Sequence, residues 1–219
     1  MIITIDGPAA AGKGTLAQAL ALHYSLAYFD TGMIYRAVGL EMVKQNLDVN
    51  NKEEAFEIAK QLTFQKMAKL SKDKDFRTDV GSKAASIVSA HPKVRQALLK
   101  MQQDFSLNPV FSDGSPADGA IYDGRDTGTV VCPNADVKLF VNASTEVRAK
   151  RRLQEFERKG IKTTYEKVFE DMKQRDERDA NRDTAPLKPA EDAHILDTSD
   201  MDINEVMKKA CLIIDSHFI

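Results

Sequence analysis

Gly7 to Thr15 read Gly-Pro-Ala-Ala-Ala-Gly-Lys-Gly-Thr, and this stretch follows directly on the apolar run Ile2, Ile3 and Ile5 and leads into a helical pattern over Thr15 to Tyr24. The spacing from Gly7 to Lys13 is G-x-x-x-x-G-K, in the strand–loop–helix context that such a motif requires. Backbone N–H groups can wrap a polyphosphate only where the chain turns tightly and no Cβ blocks the approach, and glycine meets both conditions. Gly7 and Gly12 would shape the turn, and Pro8, Ala9, Ala10 and Ala11 would carry the backbone around the anion. The start of the helix would present its positive dipole end, and Lys13 would add a mobile charge near the outer phosphates. A chain that begins in this way is committed early to a parallel sheet, with the loop at its carboxyl edge.

The loop departs from the commonest pattern, in which the lysine is followed by Ser or Thr whose hydroxyl binds Mg²⁺; here Gly14 follows Lys13 and Thr15 comes next. Lys-Gly-Thr resembles the loop of nucleoside monophosphate kinases, which implies a metal held differently, through water. The net charge of −2 across 219 residues lacks the broad positive field of a nucleic-acid binder and favours a small charged ligand. Cys132 and Cys211 are the only cysteines and belong to no metal-binding spacing. No apolar run approaches the roughly 18 residues of a membrane span. A soluble, cytoplasmic chain without structural disulfides is expected, working as a monomer with no nucleic-acid or membrane partner.

Strand and helix signals alternate along the chain. Extended runs are read at 2–6, 26–29, 136–141 and 194–196, and helices at 15–24, 33–45 and 145–159. Such alternation implies a parallel sheet with crossover helices, an α/β fold of the phosphate-loop NTPase type. Ile203, Val206, Met207, Ala210, Ile213 and Ile214 recur at helical spacing and are read as a core-facing stripe. Residues 47–106 are mostly helical and lysine-rich, with a break at His91-Pro92, and are too many for a simple crossover. Residues 106–120 are rich in turn formers and read as a surface loop.

A second constellation follows that loop. Ala-Ile-Tyr leads to Asp123, Gly124, Arg125 and Asp126, so charges gather just beyond a strand's carboxyl end, where open parallel sheets bind ligands. Asp123 is placed like the carboxylate that organises Mg²⁺ in phosphate-loop enzymes, with Thr15 as a second candidate oxygen; a solvated Asp-Gly turn is the competing reading of this stretch alone. Arg148 to Arg152 and Arg175 to Arg182 are arginine-rich. Taken alone, such runs are solvated helix faces laced by ion pairs. Beside a phosphate cradle they become forks that clamp a transferred phosphoryl group.

The phosphate loop, Asp-Thr-Gly-Met-Ile-Tyr-Arg at 30–36, Asp-Gly-Arg-Asp-Thr-Gly-Thr-Val-Val at 123–131, Arg-Asp-Glu-Arg-Asp-Ala-Asn-Arg at 175–182 and Ala-Pro-Leu at 185–187 occur in order along nearly the whole chain. In combination they resemble the bacterial cytidylate kinases. The resemblance implies transfer of the γ-phosphoryl of ATP to CMP or dCMP with Mg²⁺, in a single kinase domain with an acceptor-binding insertion at about 37–106 and a short lid at about 152–166. It further implies that Thr31 and Asp179 lie near the acceptor's ribose, and that Arg36, Arg125 and Arg175 serve its phosphate or the region beside it. Ser86, Arg95 and Asp126 would read the base. Lys13, Arg148, Arg152, Arg178 and Arg182 would stabilise the transferred group. The base-reading set suits cytosine chemically, since Ser86 and Asp126 can accept from the exocyclic amine while Arg95 donates to the ring edge. Two segments depart from the family pattern: 62–76 is shorter than in many members, and 106–120 is longer.

Two rival readings come from the residues. A kinase of the same fold acting on UMP, AMP or another small acceptor would need a different base-reading set. A GTP-binding switch would need a guanine-reading motif, and Asn51-Lys52-Glu53-Glu54 is a poor version of one, ending in Glu and beside no strand.

Overall fold

The computed structural model describes residues 1–218 and is built on a five-stranded sheet. In chain order the strands are β1 (Ile2–Asp6), β2 (Ala27–Asp30), β3 (Ala120–Gly124), β4 (Val137–Asn142) and β5 (His194–Asp197). Across the sheet they run β2-β3-β1-β4-β5, which puts β1 at the centre. β1 pairs in parallel with β3 and β4, and β4 with β5. A central parallel strand is covered on both faces, which explains why Ile3, Thr4 and Ile5 are all fully buried rather than alternating. The register sets Asp6 beside Gly124 and Phe140, and Asn142 beside Asp197, so the strand ends β1, β3, β4 and β5 finish along one edge.

The chain forms two compact units. The first comprises Met1–Phe29 and Asn108–Ile219. Its described α-helices are α1 (Lys13–His23), α7 (Thr145–Arg158), α8 (Tyr165–Asn181) and α9 (Ile203–Asp215). Ile3, Ile5, Leu16, Leu20, Leu139, Val141, Leu196, Val206, Ala210 and Ile214 make its core. The stripe read on α9 is therefore core-facing, except that Ile203 in the first turn stays exposed. An Asp202–Glu205 capping box starts that helix, and Ser144 and Thr164 cap α7 and α8. The arginine-rich runs thus lie on two neighbouring helices joined by residues 159–164.

The second unit, Asp30–Leu107, is helical: α2 (Gly32–Lys44), α3 (Lys52–Lys60), α4 (Phe64–Leu70), α5 (Asp79–Val88) and α6 (Pro92–Leu107). The break read at His91-Pro92 is the boundary of α6, which has proline in its first turn. Asn51 accepts from the N–H groups of Glu53 and Glu54 and so caps α3, which accounts for the residues that weakly resembled a guanine reader. α2 and α5 approach so closely at Gly39 that a Cβ there would lie 2.8 Å from Ala84 Cβ. Segment 62–76 holds the short helix α4, capped by Thr63 and followed by turns that bury Phe76. Residues 108–119, in the first unit, make a tight turn around Gly114 at φ +86, closed by the Val110–Pro116 bridge.

Candidate functional site

The loop leaves β1 through Gly7 at φ +147, where a Cβ would stand 1.9 Å from the carbonyl oxygen of Val141; no other residue fits. Ala10 and Gly12 also have positive φ, +58 and +92, and such alternation turns successive N–H groups toward one concave side. α1 starts at Lys13 with no side-chain cap, leaving its first N–H groups available for an anion. The Lys13 side chain is 5% exposed, donates from Nζ to the carbonyl of Pro8 at 2.9 Å, and lies 3.9 Å from Asp123 Oδ1. Burial, reinforced by the charges of Arg125 and Arg175, pulls its pKa down to about 7 against the opposing pull of Asp123. An ammonium held in this way lacks enough negative charge around it, which is what an incoming polyphosphate supplies.

Asp123 reaches over the loop from the end of β3, and a Cβ on Gly14 would lie 3.1 Å from its Oδ2. Gly14 therefore admits the carboxylate to the start of α1. Tyr28 donates to the same oxygen at 3.4 Å. Thr15 is exposed in the first turn of the helix.

Beyond β3 the chain passes through a single π-helical turn, Thr127–Val131. Asp6, the last residue of β1, holds the start of that turn. It accepts from the N–H and hydroxyl of Thr127, both at 2.9 Å, and from the N–H of Gly128 at 2.7 Å. Burial raises its pKa to about 6, against those hydrogen bonds.

Four other predicted site residues gather around Asp179 of α8. Arg125 Nε donates to Asp179 Oδ2 at 3.2 Å, and Arg175 Nε stands 3.9 Å from that oxygen. Arg182 lies 3.9 Å from Asp179 Oδ1 through one terminal nitrogen and 3.9 Å from Asp126 Oδ1 through the other. Burial raises the pKa of Asp179, but Arg125, Arg175 and Arg182 outweigh it and hold the carboxyl below its usual range. Three cations around one carboxylate leave the cluster net positive, suited to an anionic ligand.

The remaining arginines of the two helices differ from one another. Arg148 is buried, donating to the carbonyl of Ala143 at 2.8 Å, to Thr145 Oγ1 at 2.9 Å and to the loop carbonyl of Ala9 at 3.3 Å, with Asp176 2.8 Å away. Arg152 pairs with Glu155 at 2.7 Å and lies 4.3 Å over the ring of Phe156. Arg178 is exposed on α8.

In the helical unit, Thr31 is buried at the entrance to α2. Arg36 lies 4.0 Å from Asp30, which also accepts from the N–H of Gly32 at 2.9 Å. Ser86 is buried on α5, and Arg95 on α6 packs 5.2 Å over the ring of Tyr35 while donating to the carbonyl of Ser89 at 3.2 Å.

A family model described as cytidylate kinase matches residues 3–216. The chain belongs to the cytidylate kinase family. Curated cytidylate kinases of Paramagnetospirillum magneticum and Rhodospirillum rubrum are 50% and 48% identical to it, over 98% and 96% of this chain and 98% and 95% of their own. Among solved structures, an uncharacterized protein from Eubacterium ventriosum superposes with a TM-score of 0.55 at 13% identity, over 99% of this chain and 98% of that one, a likeness of fold.

Within this cytidylate kinase family member, sequence reasoning missed Asp6 and Thr198, and it gave no separate role to Asp30, Arg151 and Asp176, which lie inside the stretches quoted above. Asp6 and Thr198 had a readable signal, since each stands at or just past the carboxyl end of a strand, the edge at which open parallel sheets take ligands. The runs that hold Asp176 and Arg151 were visible, but their pairings with Arg148 and Thr198, remote in sequence, were not.

Proposed function

We propose that this chain transfers the γ-phosphoryl of ATP to CMP or dCMP, giving ADP and CDP or dCDP, in the pyrimidine nucleotide metabolism of the cytoplasm. The observation that carries the reading is the family match across residues 3–216, in a fold that brings a lysine cradle and a net-positive arginine cluster into electrostatic range of each other. The loop N–H groups and Lys13 take the phosphates of ATP, and Arg125, Arg175 and Arg182 take the acceptor's phosphate and the charge that spreads over the transferred group. An acceptor oxygen forms the new bond to phosphorus as the bond to the leaving ADP oxygen breaks, and positioning with charge neutralisation does most of the work.

Residues 37–106 act as the acceptor-binding insertion and 152–166 as the lid, with Arg152 and Arg178 the exposed or half-exposed arginines able to reach a ligand on closure. Closure excludes water, which would otherwise compete as acceptor. The residues present fit Mg²⁺ as a metal brought with ATP. Among the described residues no group of three His, Cys, Asp or Glu side chains could cage an ion, whereas Asp123 and Thr15 offer the one or two hard oxygens that Mg²⁺ takes from protein beside phosphate and water. When bound, the ion neutralises charge on the phosphate oxygens.

Ser86, Arg95 and Asp126 are assigned to the base on the chemistry of the cytosine edge, and Thr31, Arg36 and Asp179 to the sugar and phosphate of the acceptor. ADP release with Mg·ATP and, separately, CMP, dCMP, UMP, AMP or no acceptor tests the function. CMP and dCMP should turn over far faster than the others. Acceptor-independent ADP release would replace the kinase reading with an NTPase. Asp126→Ala should erode the preference for CMP over UMP, and equal loss on both would remove Asp126 from base reading.

A further inference from the structure

Two carbonyls of the phosphate loop are held from outside the loop, and both holds begin on α7. Arg148 donates from Nη1 to the carbonyl of Ala9. The second hold runs through Thr198, just past β5 and 2% exposed, whose hydroxyl lies 3.3 Å from the carbonyl oxygen of Ala11. Arg151 grips Thr198 from behind, donating to its Oγ1 at 3.0 Å and to its carbonyl at 2.6 Å. The hydroxyl has one hydrogen and a second possible acceptor, the carbonyl of Asn142 at 3.1 Å. The carbonyl of Asn142 also receives the N–H of Thr198 at 2.8 Å, and its second lone pair shares the hydroxyl hydrogen with the carbonyl of Ala11, so Thr198 ties the loop to the end of β4.

The consequence follows from peptide geometry. In a planar trans peptide the C=O and N–H point in opposite directions, and no cis bond occurs among the described residues. Holding the carbonyl of Ala9 aims the N–H of Ala10 the other way, and holding that of Ala11 does the same for the N–H of Gly12. Ala10 is also a non-glycine residue at φ +58, a conformation that persists where its surroundings over-determine it. Arg148, expected from the sequence among the clamp residues, is buried with its donors turned to protein acceptors and to Asp176 of α8.

We infer that Arg148 and the Arg151–Thr198 pair are positioning residues that hold the phosphate loop in its anion-binding shape, acting on the backbone rather than on the nucleotide, and that they fasten the loop to the helix leading into residues 159–164. This deepens the proposed ATP site and rests on that reading.

The test is calorimetric binding of ATP and of inorganic tripolyphosphate, which has no base or sugar, to the full chain and its variants. Thr198→Val should weaken both probes about equally, by roughly tenfold as for loss of one structural hydrogen bond in a dry site, and leave CMP affinity unchanged. Thr198→Ser, which keeps the hydroxyl, should restore both. Arg151→Met should reproduce the valine variant, and the double variant should be no weaker than either, since the two act as one unit. Arg148→Met should likewise weaken both probes. Unchanged tripolyphosphate affinity with weaker ATP would overturn the inference by making Thr198 a nucleoside contact. A serine variant as weak as the valine one would overturn it by assigning the effect to methyl packing. Should Thr198→Val not fold, Arg151→Met and Thr198→Ser carry the test. A wild type that binds tripolyphosphate yet does not phosphorylate CMP would overturn the proposed function while leaving the account of the loop standing.

Discussion

Asp6 and Asp179 are both buried carboxylates beside the proposed site, and they respond to burial in opposite ways. Asp6 is satisfied by neutral donors, two backbone N–H groups and a hydroxyl, and its pKa climbs to about 6. Asp179 is equally dry but stands among three guanidiniums, and its carboxyl is held below the ordinary range. Hydrogen bonds alone do not repay the loss of water around a full charge, whereas opposite charges at close range do. The first arrangement suits a hinge pin that fixes backbone. The second suits a site that must keep several cations together until an anionic ligand arrives.

The largest expected effect is on the cluster. Asp179→Asn leaves three buried or half-buried cations without their shared counter-charge and should destabilise the fold by about 3–5 kcal/mol at pH 7, measured by urea unfolding. A loss no larger than that of Asp6→Asn would show that the arginines do not depend on the Asp179 charge.

Lys13→Ala should lower the rate of transfer to CMP by roughly 10²–10³-fold, the scale for removing one preorganised charge from a developing anion, with the fold intact by circular dichroism. Near-normal turnover would remove Lys13 from the cradle. Its pKa of about 7 sharpens this further. Phosphate binding restores the ammonium, so ATP binding at pH 7 should take up roughly half a proton, read as a dependence of calorimetric enthalpy on buffer ionisation. The uptake should disappear in the alanine variant.

Asp6→Asn should cost only about 1 kcal/mol at pH 7, because relief of a buried charge offsets part of the lost acceptor. The pH dependence carries the sign of the comparison. The folded pKa of Asp6 lies above its ordinary value, so the folded state binds the proton more tightly, and this group's contribution falls as pH rises from about 4 through about 6. The deficit of Asp6→Asn should therefore be larger at pH 4 than at pH 7. Asp179 has the opposite sign: its contribution is present above the ordinary carboxylate range and is lost as pH falls below it. Parallel pH profiles for the two variants would show that the charge of the partners is not what separates them.

Much of the molecule was legible beforehand because it depends on local rules. The glycine-shaped turn after β1, the alternation of strands and helices, the α9 stripe and the helix break at Pro92 are written in spacings of a few residues. The carboxyl-edge rule also led from the strand over 120–124 to Asp123 and Asp126. The 62–76 segment stayed open because a lysine-rich stretch shows little periodicity, and its helix depends on the Thr63 cap and on Phe76 burying itself. The burial of Arg148 was not legible. An arginine in a basic run reads as exposed, and nothing local tells that its acceptors are the carbonyls of Ala143 and Ala9.

Local sequence set the chemistry on offer: a glycine-shaped loop with a lysine, carboxylates at strand ends and two arginine-rich helices. Which polar groups answer one another was settled by the packed fold. Asp6 reaches Thr127, Arg125 reaches Asp179, and Arg151 reaches Thr198, across separations of 121, 54 and 47 residues. Such pairings have no sequence period, since they depend on which strand ends the parallel sheet sets side by side, and that order is fixed by how the apolar faces pack.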